Sequence, residues 1–368
     1  MDFLVDRQDL RRCRFVSSPP PRVEPGSGQA LLRVEAFGFT ANNVTYGVVG
    51  DMIGYWKFFP AEEGWGRIPV WGIGVVEDPG TSGLTRGERI YGYLPMSTHL
   101  VVIPTQVSER GFVDATPHRQ ELPPLYNQYT RLSGDPSYDP RYEDRMMLLW
   151  PLFATGFLLD DFFADNGFFG ARSVVLASAS SKTALSCAWN LKRRGACRVV
   201  GLTSPANVAF VERVGCYDQV LAYGSIAKLP KDEPIVLVDM AGNAEVITAV
   251  HRHLGDGVKY SSQVGVTHWE KLGGVPEDLP GAKPELFFAP GQIEKRNREW
   301  GPGGLQTRMA EAWRTFLGET EGWLRIIHKR GPEAVEAVYR DGVEGRIKPD
   351  EGLILSLHET QPAARSVG

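Results

Sequence analysis

The segment Ala171–Ser204, ARSVVLASASSKTALSCAWNLKRRGACRVVGLTS, decides how the rest of the chain is read. SVVLA is a β-branched apolar run, SASSK holds only small or polar residues, and TALSCAWNLKRRG carries its apolar side chains at helical spacing. That order predicts strand, tight turn and helix. Gly195 closes the helix and a second strand follows over Arg198–Leu202, so the segment is a βαβ unit of about 30 residues. Such a unit can hold a dinucleotide. The requirement is a backbone that approaches a pyrophosphate closely, with the N–H groups of the helix start aimed at the anion. The glycine spacing G-x-x-G-x-x-G falls on Ser178, Ser181 and Ala184, none of them glycine. Small side chains keep the approach open, but serine takes positive φ less readily than glycine.

Downstream, PIVLVDMAG, EVITAVHRHLGDG and VKYSSQVG read as strand, helix and strand. Lys283–Pro290 reads as another strand, and the region around Gly301–Gly304 as helical on both sides of a Gly-Pro-Gly-Gly break. Upstream, ALLRVEAFGF, WGIGVVED, ERIYGYLP and THLVVIP are short strands punctuated by Pro and Gly, the pattern of a β-rich, barrel-like domain. Thr40–Gly54 reads as a loop. From Pro104 to Arg145 periodicity fails in a Tyr- and Pro-rich insert, and loops of this length are commonly functional or act as lids. A long helical pattern then begins at MMLLWPLFATGFLLDDFF.

A chain of 368 residues suits two domains. Forty basic against 44 acidic residues give a formal net charge of −4, with no basic stripe, which excludes nucleic acid as a partner class. No apolar run approaches the ~18 residues of a membrane span, so a soluble cytoplasmic protein without membrane partners is expected. Cys13, Cys187, Cys197 and Cys216 are far apart with no C-x-x-C, which argues against a disulfide framework and against a thiolate cluster. None of the seven histidines recurs at ligand spacing, and His251 and His253 read as an exposed helix end. No metal is expected.

PLFATGFLLDDFF (Pro151–Phe163), the βαβ unit and GLTSPANVAFVERVGCYDQVLAY (Gly201–Tyr223) together resemble the cofactor half of the medium-chain dehydrogenase/reductase superfamily. The nearest likeness is to its zinc-independent quinone and enoyl reductases. ALLRVEAFGFTANNVTYG and IPVWGIGVVEDPGTSGLTRGERIYGYLP resemble their GroES-like domain. Where zinc members carry an early Cys and a G-H-E motif, this chain has TANN and VWGIG, and the four-cysteine lobe is missing. The resemblance implies an α/β fold. A GroES-like β-barrel domain would cover 1–150 and 325–368, with the insert at 104–145, and a Rossmann doubly wound domain would cover 151–324. It also implies a homodimer, and the long insert marks a separate branch.

The resemblance further implies a nicotinamide cofactor, with Ser178, Ser180, Ser181, Lys182 and Thr183 at the pyrophosphate. NADP is favoured over NAD because Thr203-Ser204-Pro205-Ala206-Asn207 has no acid before Glu212, and a carboxylate there would repel a 2′-phosphate. Asn207 falls where the quinone reductases carry a lysine, and Tyr223 lies near their phosphate-contacting tyrosine. Thr155 matches the threonine of a T-A-Y motif, and Gln263, Val264 and Phe288 sit at strand ends toward the nicotinamide, although core packing explains Phe288 equally well. Asp239 is placed to cap the turn after its strand. Candidate donors to the reacting oxygen are Tyr46, Asn43, Tyr126 and His99, with Tyr46 favoured as proton donor and Tyr126 second. The aromatic density of GYWKFFPAEEGWG and PLYNQY suits a small apolar or aromatic substrate, or else packs the insert or a subunit contact. The expected activity is NADP(H)-dependent hydride transfer to an enone, enal or quinone. Carbonyl/alcohol redox and a non-catalytic cofactor-binding protein of the same fold are the alternatives.

Overall fold

In the computed structural model, which describes residues 1–264, 276, 278–287, 289–301 and 303–360, the N-terminal region is built from antiparallel strands. These are β1 (Asp2–Asp6), β2 (Cys13–Val16), β3 (Ala30–Phe39), β4 (Trp65–Gly66), β5 (Pro69–Asp78), β6 (Arg89–Pro95), β7 (His99–Val102), β8 (Pro104–Thr105), β9 (Gly111–Asp114) and β10 (Gln128–Arg131). Helices α1 (Ala41–Val48) and α2 (Gly50–Ile53) follow β3, and α3 (Glu143–Asp165) follows β10. Then come β11 (Ser173–Ala177), α4 (Lys182–Arg194), β12 (Arg198–Thr203), α5 (Val208–Val214), β13 (Gln219–Ala222), β14 (Ile235–Asp239), α6 (Ala244–Leu254), β15 (Val258–Gln263) and β16 (Pro284–Leu286). The chain closes with α7 (Ala289–Trp300), α8 (Gly304–Thr320), β17 (Arg325–Arg330), α9 (Pro332–Val343) and β18 (Glu351–Ser356). Two compact units result: Met1–Leu148 with the chain from Ile326, and Leu149–Arg325.

The first unit carries the antiparallel sheet, in the order β17-β18-β3-β5-β6-β10-β9-β8 among the described residues, with β7 added on β3. Its core comes from alternation along long strands, as in β3, where Leu32, Val34, Phe37 and Phe39 are buried. Two expectations change here. Thr40–Gly54, expected as a loop, is helical: Asn, Val, Thr and Gly are poor helix formers, but a capping box nucleates the turn. The segment 104–145 is not a bare loop, since β8, β9 and β10 extend the sheet beyond β6. Strands of two to four residues are too short to register as an alternating pattern.

Helix α3 is apolar on every side. Contrary to expectation, the helical stretch Pro140–Asp165 is apolar and long enough to cross a membrane, but 67% of its most apolar window is buried, the mark of a core helix. Pro151 lacks an N–H and so leaves the carbonyl of Met147 outside the helical ladder. Gly38 of β3 lies against that carbonyl: a Cβ there would stand 2.7 Å from the Met147 oxygen, so no larger residue fits.

The second unit is a parallel sheet in the order β13-β12-β11-β14-β15-β16, the doubly wound order 3-2-1-4-5-6. β11 and β14, both fully buried, are near-continuous apolar runs because helices cover both faces. The α/β class with a barrel-like sheet and a Rossmann sheet is therefore what the chain adopts. Locally, Lys283–Pro290 yields only the three residues of β16 before α7 starts at Ala289. His251, expected at an exposed helix end, is fully buried: it follows Ile247 by four residues on the apolar face of α6 and bonds the Pro280 carbonyl (2.9 Å) and the Ser261 hydroxyl (3.0 Å).

Candidate functional site

The expected site residues fall into two groups, one in each unit. In the parallel sheet the strand order reverses between β11 and β14, and ligands of doubly wound sheets bind at the carboxyl ends of the strands flanking that point. The turn leaving β11 there is Ser178–Ser181. Ser178 takes φ +56, a left-handed conformation that glycine adopts freely and serine adopts at a cost. The turn is locked from three sides: Ala179 N donates to the Leu202 carbonyl (3.0 Å), the Tyr217 hydroxyl donates to the Ala179 carbonyl (2.9 Å), and Ser181 N donates to the Ser178 carbonyl (2.8 Å). Beneath it, Gly201 of β12 is required, because a Cβ there would come 2.9 Å from that of Ala179. The turn Ser-Ala-Ser-Ser thus takes, without a glycine, a left-handed backbone step that glycine would adopt freely.

Ser181 caps α4, its hydroxyl accepting from Ala184 N at 3.2 Å, so the opening turn points its remaining N–H groups along the helix axis. Lys182 is buried and Thr183 half-buried in that first turn. Ser180 joins the end of β12: its oxygen accepts from Asn207 Nδ2 (3.0 Å) and from the Thr203 hydroxyl (3.4 Å). Ser204 closes the adjoining turn by accepting from Asn207 N at 3.0 Å. The Tyr223 hydroxyl lies 3.4 Å from that of Ser178, and burial raises its pKa. Nine of the expected cofactor residues (Ser178, Ser180, Ser181, Lys182, Thr183, Thr203, Ser204, Asn207 and Tyr223) therefore gather around one turn.

The others are more dispersed. Thr155 donates to the Pro151 carbonyl within α3 at 3.0 Å. Gln263 ends β15, and Val264 N donates to the Asp239 carbonyl at 2.8 Å, at the neighbouring strand end. Phe288 lies outside the described residues. Asp239 accepts from Ala241 N (3.2 Å) and Gly242 N (2.8 Å), which makes it the cap of its own turn. Because Ser178 sits in a left-handed well, Ser178→Gly is expected to stabilise the protein by about 1 kcal/mol in thermal denaturation. A loss of stability would show that its contact with Tyr223 outweighs the backbone strain.

In the first unit, Tyr46 of α1, Phe58, Phe59, Tyr93 of β6 and Leu122 form a buried cluster, with Tyr55, Trp71, Leu100 and Tyr126 packed against it. Tyr46 is thereby brought beside Tyr126, the other expected donor. Ring centroids are 4.5 Å apart for Tyr46–Tyr55, 4.6 Å for Tyr93–Tyr126 and 5.1 Å for Trp71–Tyr93. The Tyr55 and Tyr126 hydroxyls pair at 3.1 Å. Burial drives the Tyr46 phenol far above its ordinary pKa, and the nearby Tyr126 adds to the shift. Asn43 is fully committed to structure: its Oδ1 accepts from Thr40 N (2.8 Å) and its Nδ2 donates to the Pro69 carbonyl (3.0 Å). His99 stands on β7 against Thr98 and Glu77, its pKa lowered by burial.

Arg119 was not singled out by sequence, yet it is 1% exposed and holds the cluster's floor. Its guanidinium donates to Asn127 Oδ1 (3.0 Å), Asp114 Oδ2 (2.8 Å), the Tyr129 hydroxyl (2.9 Å) and the Tyr126 carbonyl (2.8 Å). Trp71, Tyr91 and Tyr93 were missed as well. The signal was present in RIYGYLP, where tyrosines two apart share one face of a strand. No group of three or more His, Cys, Asp or Glu side chains suited to a metal occurs among the described residues.

The fold is shared with solved structures that have little sequence in common with this chain. CurA from Vibrio vulnificus aligns with TM-score 0.62 at 14% identity, over 97% of this chain and 97% of that one. CurA from Vibrio vulnificus in complex with NADPH aligns with TM-score 0.58 at 12% identity, over 95% and 94%. The yhdH oxidoreductase from Salmonella enterica in complex with NADP aligns with TM-score 0.52 at 12% identity, over 96% and 99%. The likeness shows the fold: a barrel-like antiparallel unit and a doubly wound parallel unit along one chain. No curated protein sequence matches it significantly. A family model described as "Protein of unknown function (DUF2855)" matches residues 37–348.

Proposed function

We propose that this chain, which belongs to the DUF2855 family, is a zinc-independent, NADP(H)-dependent oxidoreductase that delivers hydride to an activated alkene or carbonyl such as an enone, enal or quinone. One observation carries the reading: Ser178 is held in a left-handed backbone at the switch point of a doubly wound sheet. Backbone strain of this kind persists where the surrounding structure enforces it, and at this place in the fold a phosphate-cradling turn explains it. The neighbours described with NADPH and NADP point the same way.

The residues present fit the nucleotide. The first turn of α4, with Ser178, Ser180, Ser181, Lys182 and Thr183, would hold the diphosphate through helix-start amides, hydroxyls and an ammonium. Thr203, Ser204, Asn207 and Tyr223 would take the ribose and its 2′-phosphate, offering hydroxyl and amide donors and no carboxylate. Thr155, Gln263, Val264 and Phe288 would serve the nicotinamide end. When bound, the nicotinamide supplies the hydride. Tyr46 would supply the proton: burial holds its phenol in the protonated form, and the proton would pass only to an acceptor oxygen made strongly basic by the arriving hydride. Tyr126 is the second donor, and Asn43 acts by fixing the capping turn from which Tyr46 projects. The same proposal places the enzyme in the cytoplasm, acting on a small apolar or aromatic molecule.

The test is NADPH oxidation followed by absorbance against cinnamaldehyde, an aliphatic enone and a naphthoquinone. Turnover with NADPH at least tenfold faster than with NADH is expected for one or more of them. Tight NADPH binding without turnover of any acceptor would instead leave a cofactor-binding protein of the same fold.

A further inference from the structure

Three buried polar atoms in and beside the aromatic cluster have no hydrogen-bond partner: Trp71 Nε1, the Tyr93 hydroxyl, and the hydroxyl of Tyr91, whose ring stacks on Trp71. Buried polar groups are paired in the great majority of native structures, so three orphans at one place call for a cause. They share a face. Trp71 stands opposite Tyr93 in the β5–β6 register, and Tyr91 precedes Tyr93 by two residues on β6, so all three side chains leave the same side of the sheet. Tyr91 and Tyr93 are 6% and 0% exposed. The Trp71 ring stacks on Tyr91 at 5.6 Å and meets Tyr126 at 6.1 Å. The Tyr46 phenol feels both Trp71 and Tyr93 but makes full hydrogen-bond geometry with neither. Phe58, Phe59 and Leu100 of the same cluster also line a cavity of about 260 Å³, together with His99 and Arg119.

We propose that Trp71, Tyr91 and Tyr93 are the specificity-determining donors of the first unit, and that they select a flat, uncharged acceptor molecule carrying at least two acceptor oxygens. This deepens the oxidoreductase reading and rests on it for the identification of the ligand as a substrate. An indole N–H only donates, so its missing partner is an acceptor, and the two phenols donate most readily to the same kind of group. A single carbonyl oxygen has two lone pairs and satisfies two donors. The third needs a second oxygen. Flatness follows from the walls, which are aromatic rings. Neutrality follows from the charges: Arg119, the cation packed against Phe58 and Phe59, is already committed to Asp114.

The experiment uses the full chain and calorimetric titration with 2-methyl-1,4-naphthoquinone, which has two oxygens, and with 2-naphthaldehyde, which has one. Each is titrated with and without NADP⁺, so that no reduction occurs. Trp71→Phe, Tyr91→Phe and Tyr93→Phe keep the rings and remove one donor each. The quinone is expected to bind the unaltered protein about tenfold more tightly than the aldehyde, and each variant to weaken quinone binding about tenfold while narrowing that preference. The melting temperature of the ligand-free variants is expected to stay level or rise, because an unsatisfied donor has been removed. The proposal is overturned if the unaltered protein does not prefer the two-oxygen probe, or if quinone affinity is unchanged in all three variants. It is also overturned if all three variants melt several degrees lower, which would mean that bound water already satisfies these groups. NADPH titration of the same proteins separates the two claims: failure of nucleotide binding alone sinks the oxidoreductase reading, and failure of the donor pattern alone sinks this one.

Discussion

Replacing Arg119 by methionine is expected to cost about 3–5 kcal/mol of stability, read by urea denaturation, because it strands the buried Asp114 carboxylate without its counter-charge. Arg119 and Asp114 have side chains 1% and 0% exposed, and Arg119 Nη1 donates to Asp114 Oδ2 at 2.8 Å. The guanidinium also lies 5.0 Å from the centre of the Phe59 ring and 5.6 Å from that of Phe58, so its plane is part of the packing. Asp114 cannot simply be deleted along with it. Its Oδ1 accepts from Ile103 N (2.9 Å), Thr116 N (3.0 Å) and the Thr116 hydroxyl (2.6 Å), which tie the end of β9 to the sheet. The double variant Arg119→Met with Asp114→Asn keeps that acceptor oxygen while removing the charge, and is expected to recover part of the loss. A double variant no more stable than Arg119→Met would show that the lost hydrogen bonds, and not the stranded charge, dominate the cost.

Asn207→Asp is expected to weaken NADPH binding on the order of a hundredfold and to leave NADH binding nearly unchanged. The substitution preserves shape and adds one negative charge beside Ser180, whose oxygen Asn207 Nδ2 now approaches at 3.0 Å. Two unit charges about 5 Å apart at an effective dielectric near 20 repel by about 3 kcal/mol, which is on the order of a hundredfold in affinity. NADH carries a 2′-hydroxyl at that point and has no charge to repel. Asn207→Lys should do the reverse and strengthen NADPH binding, because it supplies the cation this turn lacks. Calorimetric titration of both nucleotides against both variants reads the effect, and equal weakening of NADH and NADPH by Asn207→Asp would move the 2′-phosphate elsewhere.

The sequence of the βαβ unit was legible because its signals are strong and local: a five-residue buried strand, a turn of small residues and a 13-residue helix stopped by Gly195 in the left-handed region. The absence of glycine was legible too, but not its outcome, since only the bonds from Leu202 and Tyr217 show why Ser178 tolerates positive φ. Helix α1 escaped because its residues carry little helical propensity and its stability comes from the Thr40–Asn43 cap and from burial of Val44 and Tyr46. Arg119 could not be read from ATPHRQELPP, which looks like a polar loop. An arginine is buried only when its partners converge, and Asp114, Asn127 and Tyr129 are brought to it by strand pairing that short strands do not announce. Trp71, Tyr91 and Tyr93 are missed for the opposite reason: RIYGYLP does put the two tyrosines on one face, but that pattern reads as ordinary β-strand packing until their polar atoms are found without partners.

The most direct measurement is a crystal structure of the protein with NADP⁺. The account predicts diphosphate oxygens within hydrogen-bonding distance of the α4 opening turn and of the serine hydroxyls of Ser178–Ser181, with the 2′-phosphate beside Thr203 and Asn207. A complex in which that turn stays bare while the nucleotide sits elsewhere, or crystals that take up none at saturating concentration, would contradict it.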